Sequence, residues 1–187
     1  MDPKKLEEKV NDNTKAIIPV HLYGHPCDMD AINGIAKKHG LKVIEDAAEA
    51  HGAFYKDSMV GSLSDVSCFS FYGNKIITTG EGGICLTRDA DLAERLRFLK
   101  DHGMSKDRRY WHPEIGFNYR LTNIQAAIGL AQLENIGLII KRKRENAAMY
   151  NSFFEGVEGI TIPPDKEWAD SVYWMYSILV DDRFKHS

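Results

Sequence analysis

The hydrophobic pattern of the first 100 residues switches repeatedly between short strand-like runs and segments of helical spacing. The strand-like runs cover residues 16–23, 41–46, 66–72 and 84–87. Helical spacing predicts a short polar helix over residues 3–12 and longer helices over 28–39 and 90–101, with Asp28 and Gly40 as the cap and end of the second. Strands and helices that alternate through short links are typical of a largely parallel sheet covered by helices, so the pattern predicts an α/β fold.

A longer helical pattern dominates the second half of the chain. Thr122 and Gln125 have the spacing of a capping box, and apolar residues recur at helical positions after them. The helical pattern extends to about residue 154, with a break expected near Gly137. A strand over residues 172–180 is the last predicted element, and the sequence shows no obvious partner for it.

Composition narrows the class of protein without indicating a function. The chain has 187 residues, of which 43% are hydrophobic and 27% charged, and a net charge of -3. These values are typical of a globular protein and give no general attraction to nucleic acid or anionic lipid. The basic run over residues 141–144 lies within the helical pattern and is interpreted as a solvated helix face. No apolar run approaches the ~20 residues that span a bilayer, and the N-terminus lacks the apolar core of a signal peptide, so we expect no membrane partner.

The cysteines bear on the cellular compartment. Cys27, Cys68 and Cys85 are odd in number and widely spaced, which favours reduced thiols in a cytoplasmic protein over a disulfide framework. Cys68 and Cys85 fall within strand-like runs, and we expect both to be small buried apolar residues.

One lysine lies in an unusual setting. Lys75 follows Gly73 and Asn74 in a bend, with an apolar run before it and a glycine-rich stretch after it. This bend and Asp46 each come directly after a strand-like run, and ligands of parallel sheets bind outside the carboxyl ends of the strands. We therefore expect Lys75 and Asp46 to face one cleft, although a solvated loop lysine and a turn-forming aspartate are the alternatives.

A lysine amine in a closed cleft can form an imine with a carbonyl, and the commonest such carbonyl in biology is that of pyridoxal phosphate. The ring of this cofactor works best when a carboxylate faces its nitrogen, a role for which Asp46 is suited. Its phosphate needs hydroxyl and backbone N–H donors, and Ser70, in the strand before the bend, offers a hydroxyl. The combination of these residues predicts a pyridoxal-phosphate site.

Three ordered motifs carry a resemblance to a known family. They are EDAAEAHGA over residues 45–53, SFYGNKIITTGEGG over 70–83 and GFNYRLTNIQAA over 116–127. They resemble motifs of the pyridoxal-phosphate-dependent nucleotide-sugar aminotransferases, the DegT/DnrJ/EryC1/StrS family, and the resemblance covers nearly the whole chain. The run VHLYGHPCDMD over residues 20–30 is most similar to the perosamine-synthase branch of that family.

The resemblance implies a role for each cofactor-binding residue. Lys75 would be the Schiff-base lysine and would also move the proton between the cofactor and the sugar. Asp46 would pair with the pyridine nitrogen, and Ala48 would pack against one face of the ring. Glu49 would lie near the ring hydroxyl, where many relatives have glutamine, and Ser70 would hold the phosphate.

Two further residues would act at a subunit boundary. Asn118 would reach the cofactor phosphate of the partner in a homodimer, and Arg120 would assist there or bind substrate. The implied reaction takes an amino group from an amino acid, glutamate in most relatives, through the pyridoxamine phosphate form. The implied acceptor is a nucleotide-linked 4-keto-6-deoxysugar, with GDP-4-keto-6-deoxymannose favoured by the resemblance of residues 20–30.

The resemblance also implies the fold and its domains. It is the aspartate-aminotransferase type, fold type I, with a mostly parallel sheet that has helices on both faces. Because members of the family are longer at both ends, the chain is expected to be incomplete at both ends. Residues 1–155 would be the central part of the cofactor-binding large domain with a connecting helix, and 156–187 the start of a truncated C-terminal small domain.

Several other functions are open alternatives. A sister group of sugar dehydratases has histidine in place of Lys75, so a lysine favours amino transfer. A catalytically inactive fragment that acts as an interaction module is a rival from a different class. A zinc site built from the ligand types at His21, His25, Cys27 and Asp28 has no second cluster to complete it. The glycine-rich run over residues 80–83 lacks the Gly-Lys-Ser/Thr ending of a phosphate-binding P-loop, so we expect no metal and no nucleotide hydrolysis.

Overall fold

The computed structural model describes residues 1–184, apart from the side chain of Arg183. Within this range the polypeptide has five α-helices and two 3₁₀ turns, the latter over Leu22–Gly24 and Asp182–Phe184. The α-helices are α1 (Pro3–Glu7), α2 (Met29–His39), α3 (Ala90–Lys100), α4 (Asn123–Leu133) and α5 (Ile136–Phe154). The short polar helix expected over residues 3–12 therefore ends earlier, at residue 7.

The strands form three small sheets within the described residues. They are β1 (Ala16–Ile17), β2 (Lys42–Asp46), β3 (Phe54–Tyr55), β4 (Ser58–Met59), β5 (Val66–Ser70), β6 (Gly83–Leu86), β7 (Ile160–Thr161), β8 (Ala169–Asp170) and β9 (Leu179–Val180). The main sheet has the order β1-β2-β5-β6, in which β2 is parallel to both β1 and β5. The other sheets have the orders β4-β3-β8 and β7-β9. The predicted α/β class with a mostly parallel sheet is confirmed.

Strand β6 differs from its neighbours because it runs antiparallel to β5, so that Cys68 and Cys85 lie directly opposite each other. Their Sγ atoms are 3.8 Å apart. Burial, together with the nearby Cys85, raises the pKa of the Cys68 thiol to about 11. The prediction that both cysteines are buried is nevertheless wrong: Cys85 is exposed and Cys68 half-buried, because β6 is the outer strand of the sheet over residues 1–184.

The helix signals in the sequence are confirmed at atomic detail. The Asp28 side chain accepts a hydrogen bond from the Ala31 N–H, and Gly40 ends α2 in the left-handed conformation with φ of 64°. Thr122 and Gln125 form the capping box of α4 through reciprocal hydrogen bonds. The helical run is interrupted at residues 134–135, just before Gly137, as expected.

The prediction of a strand over residues 172–180 is wrong for most of its length. Only Leu179–Val180 is a strand, and it pairs antiparallel with Ile160–Thr161. Residues 171–178 have an irregular backbone, with Tyr173 at φ of 47°. Val172 and Trp174 of this segment pack into an apolar core instead of pairing in a ladder, and a short apolar run of this kind resembles a strand in sequence.

The larger of two apolar cores joins segments that are distant in sequence. Its buried members come from the turn after β2, the segments around β3 and β5, helix α5 and the irregular C-terminal segment, and they are Ala47, Ala50, Ala53, Val60, Ile76, Ile77, Ile140, Val172 and Trp174. A second core packs α2 against β1 and β2. The first core therefore fixes the relative positions of the strand ends that carry the predicted site. Within residues 1–184 no helix combines the length and apolar character that a membrane span requires.

Candidate active site

Lys75 lies in the loop after β5 and is followed directly by two buried residues. Ile76 and Ile77 are buried in the larger core, whereas the Lys75 side chain is 12% exposed. The Lys75 N–H donates to the Tyr72 carbonyl at 3.0 Å, which closes a tight turn immediately before the lysine. Ile76 and Ile77 thus anchor the loop in the core, and the Lys75 amine has little access to solvent.

Two glutamines of α4 hold the same loop from the other side. The Gln132 side chain accepts from the Thr78 N–H at 3.0 Å and donates to the Thr78 carbonyl at 2.6 Å. Gln125 Nε2 donates to the Glu81 carbonyl at 3.2 Å. These contacts satisfy backbone groups that no strand pairs, and they join the lysine loop to a helix. Sequence reasoning gave Gln125 only its capping role and missed Gln132, because a glutamine on a helix carries no signal of a distant backbone partner.

Asp46 ends β2, and its backbone is fixed by the segment after β1. The Asp46 N–H donates to the Pro19 carbonyl at 2.9 Å, and its carbonyl accepts from the His21 N–H at 3.0 Å. One carboxylate oxygen accepts from the Ala48 N–H at 3.2 Å. The carboxylate and Ala48 are half-buried, so this strand end offers a fixed anionic group at its tip.

Glu49 brings the two strand ends together. Its Oε1 lies 3.6 Å from Lys75 Nζ, and its side chain is 18% exposed. Its Oε2 accepts from the Tyr23 N–H at 2.7 Å, where Tyr23 adopts a left-handed backbone with φ of 58°. The turn that begins at Asp46 and the loop that carries Lys75 therefore meet through the Glu49–Lys75 ion pair, whereas a common cleft for Asp46 and Lys75 stays a prediction.

Trp174 is a residue of this site that sequence reasoning missed. Its indole ring lies under the lysine, with Lys75 Nζ 4.0 Å from the ring centroid. Its Nε1 donates to the Asn74 carbonyl at 2.8 Å. An aromatic residue in an apolar run looks like any strand residue, so only the packed structure reveals this contact.

A buried histidine and glutamate lie behind Asp46. His21 Nε2 is 3.1 Å from Glu45 Oε2, and both side chains are fully buried. Burial by itself would lower the pKa of His21, but the hydrogen bonds to Cys27 and Glu45 outweigh it and raise the pKa to about 8. Burial acts on the pKa of Glu45 in the opposite direction, and the hydrogen bonds from His21 and from the Gly61 N–H lower it on balance.

His51 is buried in an apolar environment beneath the lysine loop. Neither ring nitrogen has a hydrogen-bond partner among the described residues, and the ring packs 5.2 Å from Phe69 and 6.0 Å from Phe71 between centroids. Burial, with the charge of Lys75 as a smaller contribution, lowers the pKa of His51 to about 4. The imidazole is therefore neutral around pH 7.

The remaining predicted residues lie at different distances from this centre. Ser70 ends β5 and its Oγ accepts from the Tyr72 N–H at 3.2 Å, so it belongs to the same loop as Lys75. The backbone of Asn118 forms an isolated antiparallel β-bridge with Asp101, and Arg120 Nη1 lies 3.2 Å from Asp101 Oδ1. Both Asn118 and Arg120 are exposed, and no described contact joins either of them to Lys75 within the chain.

The side chains that meet here fit pyridoxal phosphate by the chemistry of their groups. A confined primary amine is available for the aldehyde, and the half-buried carboxylate of Glu49 lies beside it. Asp46 offers a second half-buried carboxylate at the end of β2, and Ser70 offers a hydroxyl in the adjacent turn. Within residues 1–184, no three side chains of His, Cys, Asp or Glu are grouped so that they could hold a metal ion.

Comparison with protein families gives a match over the entire chain. The model of the DegT/DnrJ/EryC1/StrS aminotransferase family matches residues 1–187. The GDP-perosamine synthase of Caulobacter vibrioides is 50% identical over 183 residues, which cover 97% of this chain and 49% of that protein. The GDP-perosamine synthase of Escherichia coli O157:H7 is 49% identical over 179 residues, which cover 96% of this chain and 49% of that protein.

Solved structures agree with the sequence comparisons. The chain superimposes on S. venezuelae DesV, solved in complex with a ketimine intermediate, with a TM-score of 0.93 and 40% identity over 99% of this chain and 50% of DesV. Helicobacter pylori PseC, an aminotransferase involved in pseudoaminic acid biosynthesis, gives a TM-score of 0.92 at 34% identity over 98% of this chain and 50% of PseC. The chain thus spans about half the length of the relatives it matches, and the predicted aspartate-aminotransferase fold type is confirmed. It belongs to the DegT/DnrJ/EryC1/StrS aminotransferase family.

Proposed function

We propose that this chain is the central part of a pyridoxal-phosphate-dependent sugar aminotransferase, with Lys75 as the residue that holds the cofactor. The observation that carries the proposal is the meeting of the Lys75 amine with Glu49, at 3.6 Å, where the ends of β2 and β5 converge. The amino donor is an amino acid, glutamate as in most relatives, and the acceptor is the keto group of a nucleotide-linked 4-keto-6-deoxysugar.

When bound, the cofactor supplies an electron sink for the carbon that gains or loses the amino group. Asp46, at the end of β2, would keep the ring nitrogen protonated, and the small side chain of Ala48 would leave room for the ring. Glu49 would meet the ring hydroxyl, and Ser70 would donate its hydroxyl to the phosphate. Asn118, exposed in this chain, would serve the cofactor phosphate of a partner subunit in a homodimer.

Lys75 has a second task once its amine is free. The Nζ atom would remove a proton from one carbon and return it to another, which is general acid–base catalysis by a positioned amine. The nearby Glu49 carboxylate would hold the protonated form of Nζ in place between the two transfers.

The identity of the sugar acceptor is the most specific part of the proposal. This chain is about half identical to two GDP-perosamine synthases. On that similarity we propose GDP-4-keto-6-deoxymannose as the acceptor and GDP-perosamine as the product. Arg120 has an exposed guanidinium and is our candidate for a substrate contact. The dehydratase alternative is disfavoured because position 75 is a lysine.

The proposal is tested by trapping the cofactor on the protein. Incubation with pyridoxal phosphate should give a red-shifted absorbance band, and borohydride reduction followed by peptide mapping should place the cofactor on Lys75. Lys75→Ala should lose both signals, while Lys37→Ala, an exposed lysine on α2, should keep them. Matching spectra for the parent and Lys75→Ala proteins would refute the role of Lys75.

The acceptor is tested on the full-length gene product with a panel of GDP-, UDP- and dTDP-linked ketosugars. Turnover should be fastest with GDP-4-keto-6-deoxymannose, and absence of turnover with this compound would reject that part of the proposal. If the 187-residue chain also fails to bind the cofactor while the full-length protein binds it, this chain alone is an inactive portion of the fold. Its exposed apolar helix α4 is the observation that favours that second outcome.

A further inference from the structure

The contact between Trp174 and Lys75 joins the predicted catalytic amine to a segment 99 positions further along the chain. Trp174 is 8% exposed and packs in the larger core, and its ring face lies 4.0 Å from Lys75 Nζ. A cation over an indole face is attracted by the ring electrons, and the attraction strengthens when the pair is shielded from water. Trp174 and Glu49 therefore contact the same amine by different chemistry, one through its π face and one through a carboxylate.

Several contacts prevent the indole from moving away. Its Nε1 donates to the Asn74 carbonyl at 2.8 Å, next to the lysine itself. Its own carbonyl accepts from Lys143 Nζ at 2.9 Å, and the Ser171 carbonyl accepts from Arg144 Nε at 2.9 Å. Two basic side chains of α5 thus hold this segment at Ser171 and at the Trp174 backbone itself.

The loop after β1 also holds the segment that carries Trp174. The Gly24 carbonyl accepts from the Val172 N–H at 3.1 Å and from the Ser171 hydroxyl at 3.1 Å. Gly24 has φ of +93°, and a Cβ atom added there would lie 2.7 Å from Val172 Cγ2. Only glycine permits this approach, and Tyr173, with its left-handed φ of 47°, then directs the chain so that Trp174 returns to the lysine.

These contacts change the interpretation of the basic run at residues 141–144. Lys141 and Arg142 are more than 70% exposed and pair only with Glu145 among the described residues, as a solvated helix face would. Lys143 and Arg144 instead donate to backbone carbonyls of the segment that carries Trp174. Half of the basic run is therefore structural.

We infer that Trp174 is a positioning residue for the Lys75 amine, held in place by Lys143 and Arg144 of α5. The inference rests on the proposed function, in which Lys75 must stay near the reacting carbons after it leaves the cofactor. A lysine side chain has many rotamers, so a neighbouring ring that restricts them makes the productive position more populated. Trp174 also covers one side of the amine.

The contact is tested without cofactor by acetylating the chain with a small reagent and mapping the modified lysines. Trp174→Leu should raise the labelling rate of Lys75 relative to exposed Lys37 by roughly five-fold, the factor expected from loss of an ordinary cation–π contact. Trp174→Phe, which keeps a ring face, should change the ratio by less than about two-fold. Trp168→Leu removes a comparable ring that packs on Tyr55 and His25, away from Lys75, and should leave the ratio unchanged.

The role of α5 is tested by a matched pair of lysines. Lys143→Met removes the hydrogen bond to the Trp174 carbonyl and leaves the ring intact, so it should also raise Lys75 labelling, by roughly two-fold. Lys141→Met, two positions away on the exposed side of α5, should have no effect. An unchanged Lys75 ratio in both folded Trp174→Leu and Lys143→Met proteins would overturn the inference.

A second readout uses the full-length enzyme and separates this inference from the proposed function. Trp174→Leu should lower kcat for amino transfer while the KM values of the amino donor and the ketosugar change by less than about two-fold, because the freed amine is affected and not substrate binding. A loss of kcat/KM that comes only from a higher KM, with kcat unchanged, would contradict a positioning role. If borohydride trapping finds no cofactor on Lys75, the proposed function fails, and the labelling ratios still report on the Trp174 contact.

Discussion

At the scale of single residues, the site contains buried groups whose charge states depend on their surroundings. His51 is the simplest of them, since its ring is 4% exposed and neither nitrogen has a hydrogen-bond partner in the described part of the chain. A buried imidazole without a partner resists protonation because the cation would lose its hydration. This property has a direct consequence for the stability of the fold.

We predict that the free energy of unfolding falls as the pH is lowered from about 6.5 to about 4. The pKa of His51 is lowered from 6.5 to about 4 in the folded chain, so in this window the unfolded chain binds a proton that the folded chain does not. The loss from this residue is at most about 3 kcal/mol. Chemical denaturation at a series of pH values measures it, and His51→Leu should flatten the dependence. A slope that is the same in the parent and His51→Leu proteins would contradict the low pKa.

At the scale of elements, caps and side-chain contacts to backbone groups place the helices. Asp28 has two partners at the start of α2, because its Oδ1 accepts from the Ala31 N–H at 3.2 Å and from the Tyr55 hydroxyl at 3.0 Å. Asp89 caps α3 through the N–H groups of Asp91 and Leu92 and has an exposed side chain. The first cap therefore joins α2 to strand β3, whereas the second acts within its own helix.

Asp28→Ala should consequently destabilise the chain by about 2 kcal/mol, and Asp89→Ala by about 1 kcal/mol or less. The difference arises because Asp28→Ala also leaves the Tyr55 hydroxyl without its acceptor. Urea denaturation of both variants measures the two losses, and Tyr55→Phe combined with Asp28→Ala isolates the shared hydrogen bond in a double-mutant cycle. Equal losses at the two caps would show that the contact to β3 adds nothing.

At the scale of the whole molecule, a large apolar area is left uncovered on the described residues. Helix α4 has no buried residue, and Ile124 on it is 75% exposed. Ile115, between α3 and α4, is 90% exposed, and Leu138 on α5 is 71% exposed. Apolar area of this extent favours contact with another surface, and both a partner subunit and the remaining half of a full-length relative offer one.

The 187-residue chain should therefore associate with itself and bind hydrophobic dyes more strongly than the full-length protein. Ile124→Asp should weaken the association because it places a charge on the α4 surface, while Asn146→Asp adds the same charge at an exposed polar position of α5. Sedimentation velocity measures the oligomeric state of each variant. A monomeric chain that binds no dye would show that this surface is stable in water without a partner.

The sequence by itself determined the short-range features of this protein. The caps at Asp28 and Thr122 follow from hydrogen bonds between residues three positions apart. Lys75, Asp46 and Ser70 were singled out because each lies in a short motif that is recognisable from the order of its neighbouring residues. Strand and helix positions were largely predictable for the same reason, since each depends on the period of its own apolar residues.

Tertiary structure alone decided which distant residues meet. The antiparallel pairing of β6 and the exposure of Cys85 depend on neighbours in the sheet, not on the strand pattern. Trp174 approaches Lys75 through packing in the larger core, and Gln132 holds the lysine loop through hydrogen bonds to the Thr78 backbone; both contacts join segments more than 50 residues apart. An apolar or amide side chain has the same local pattern wherever it packs, so its partner is specified only when the whole chain has folded.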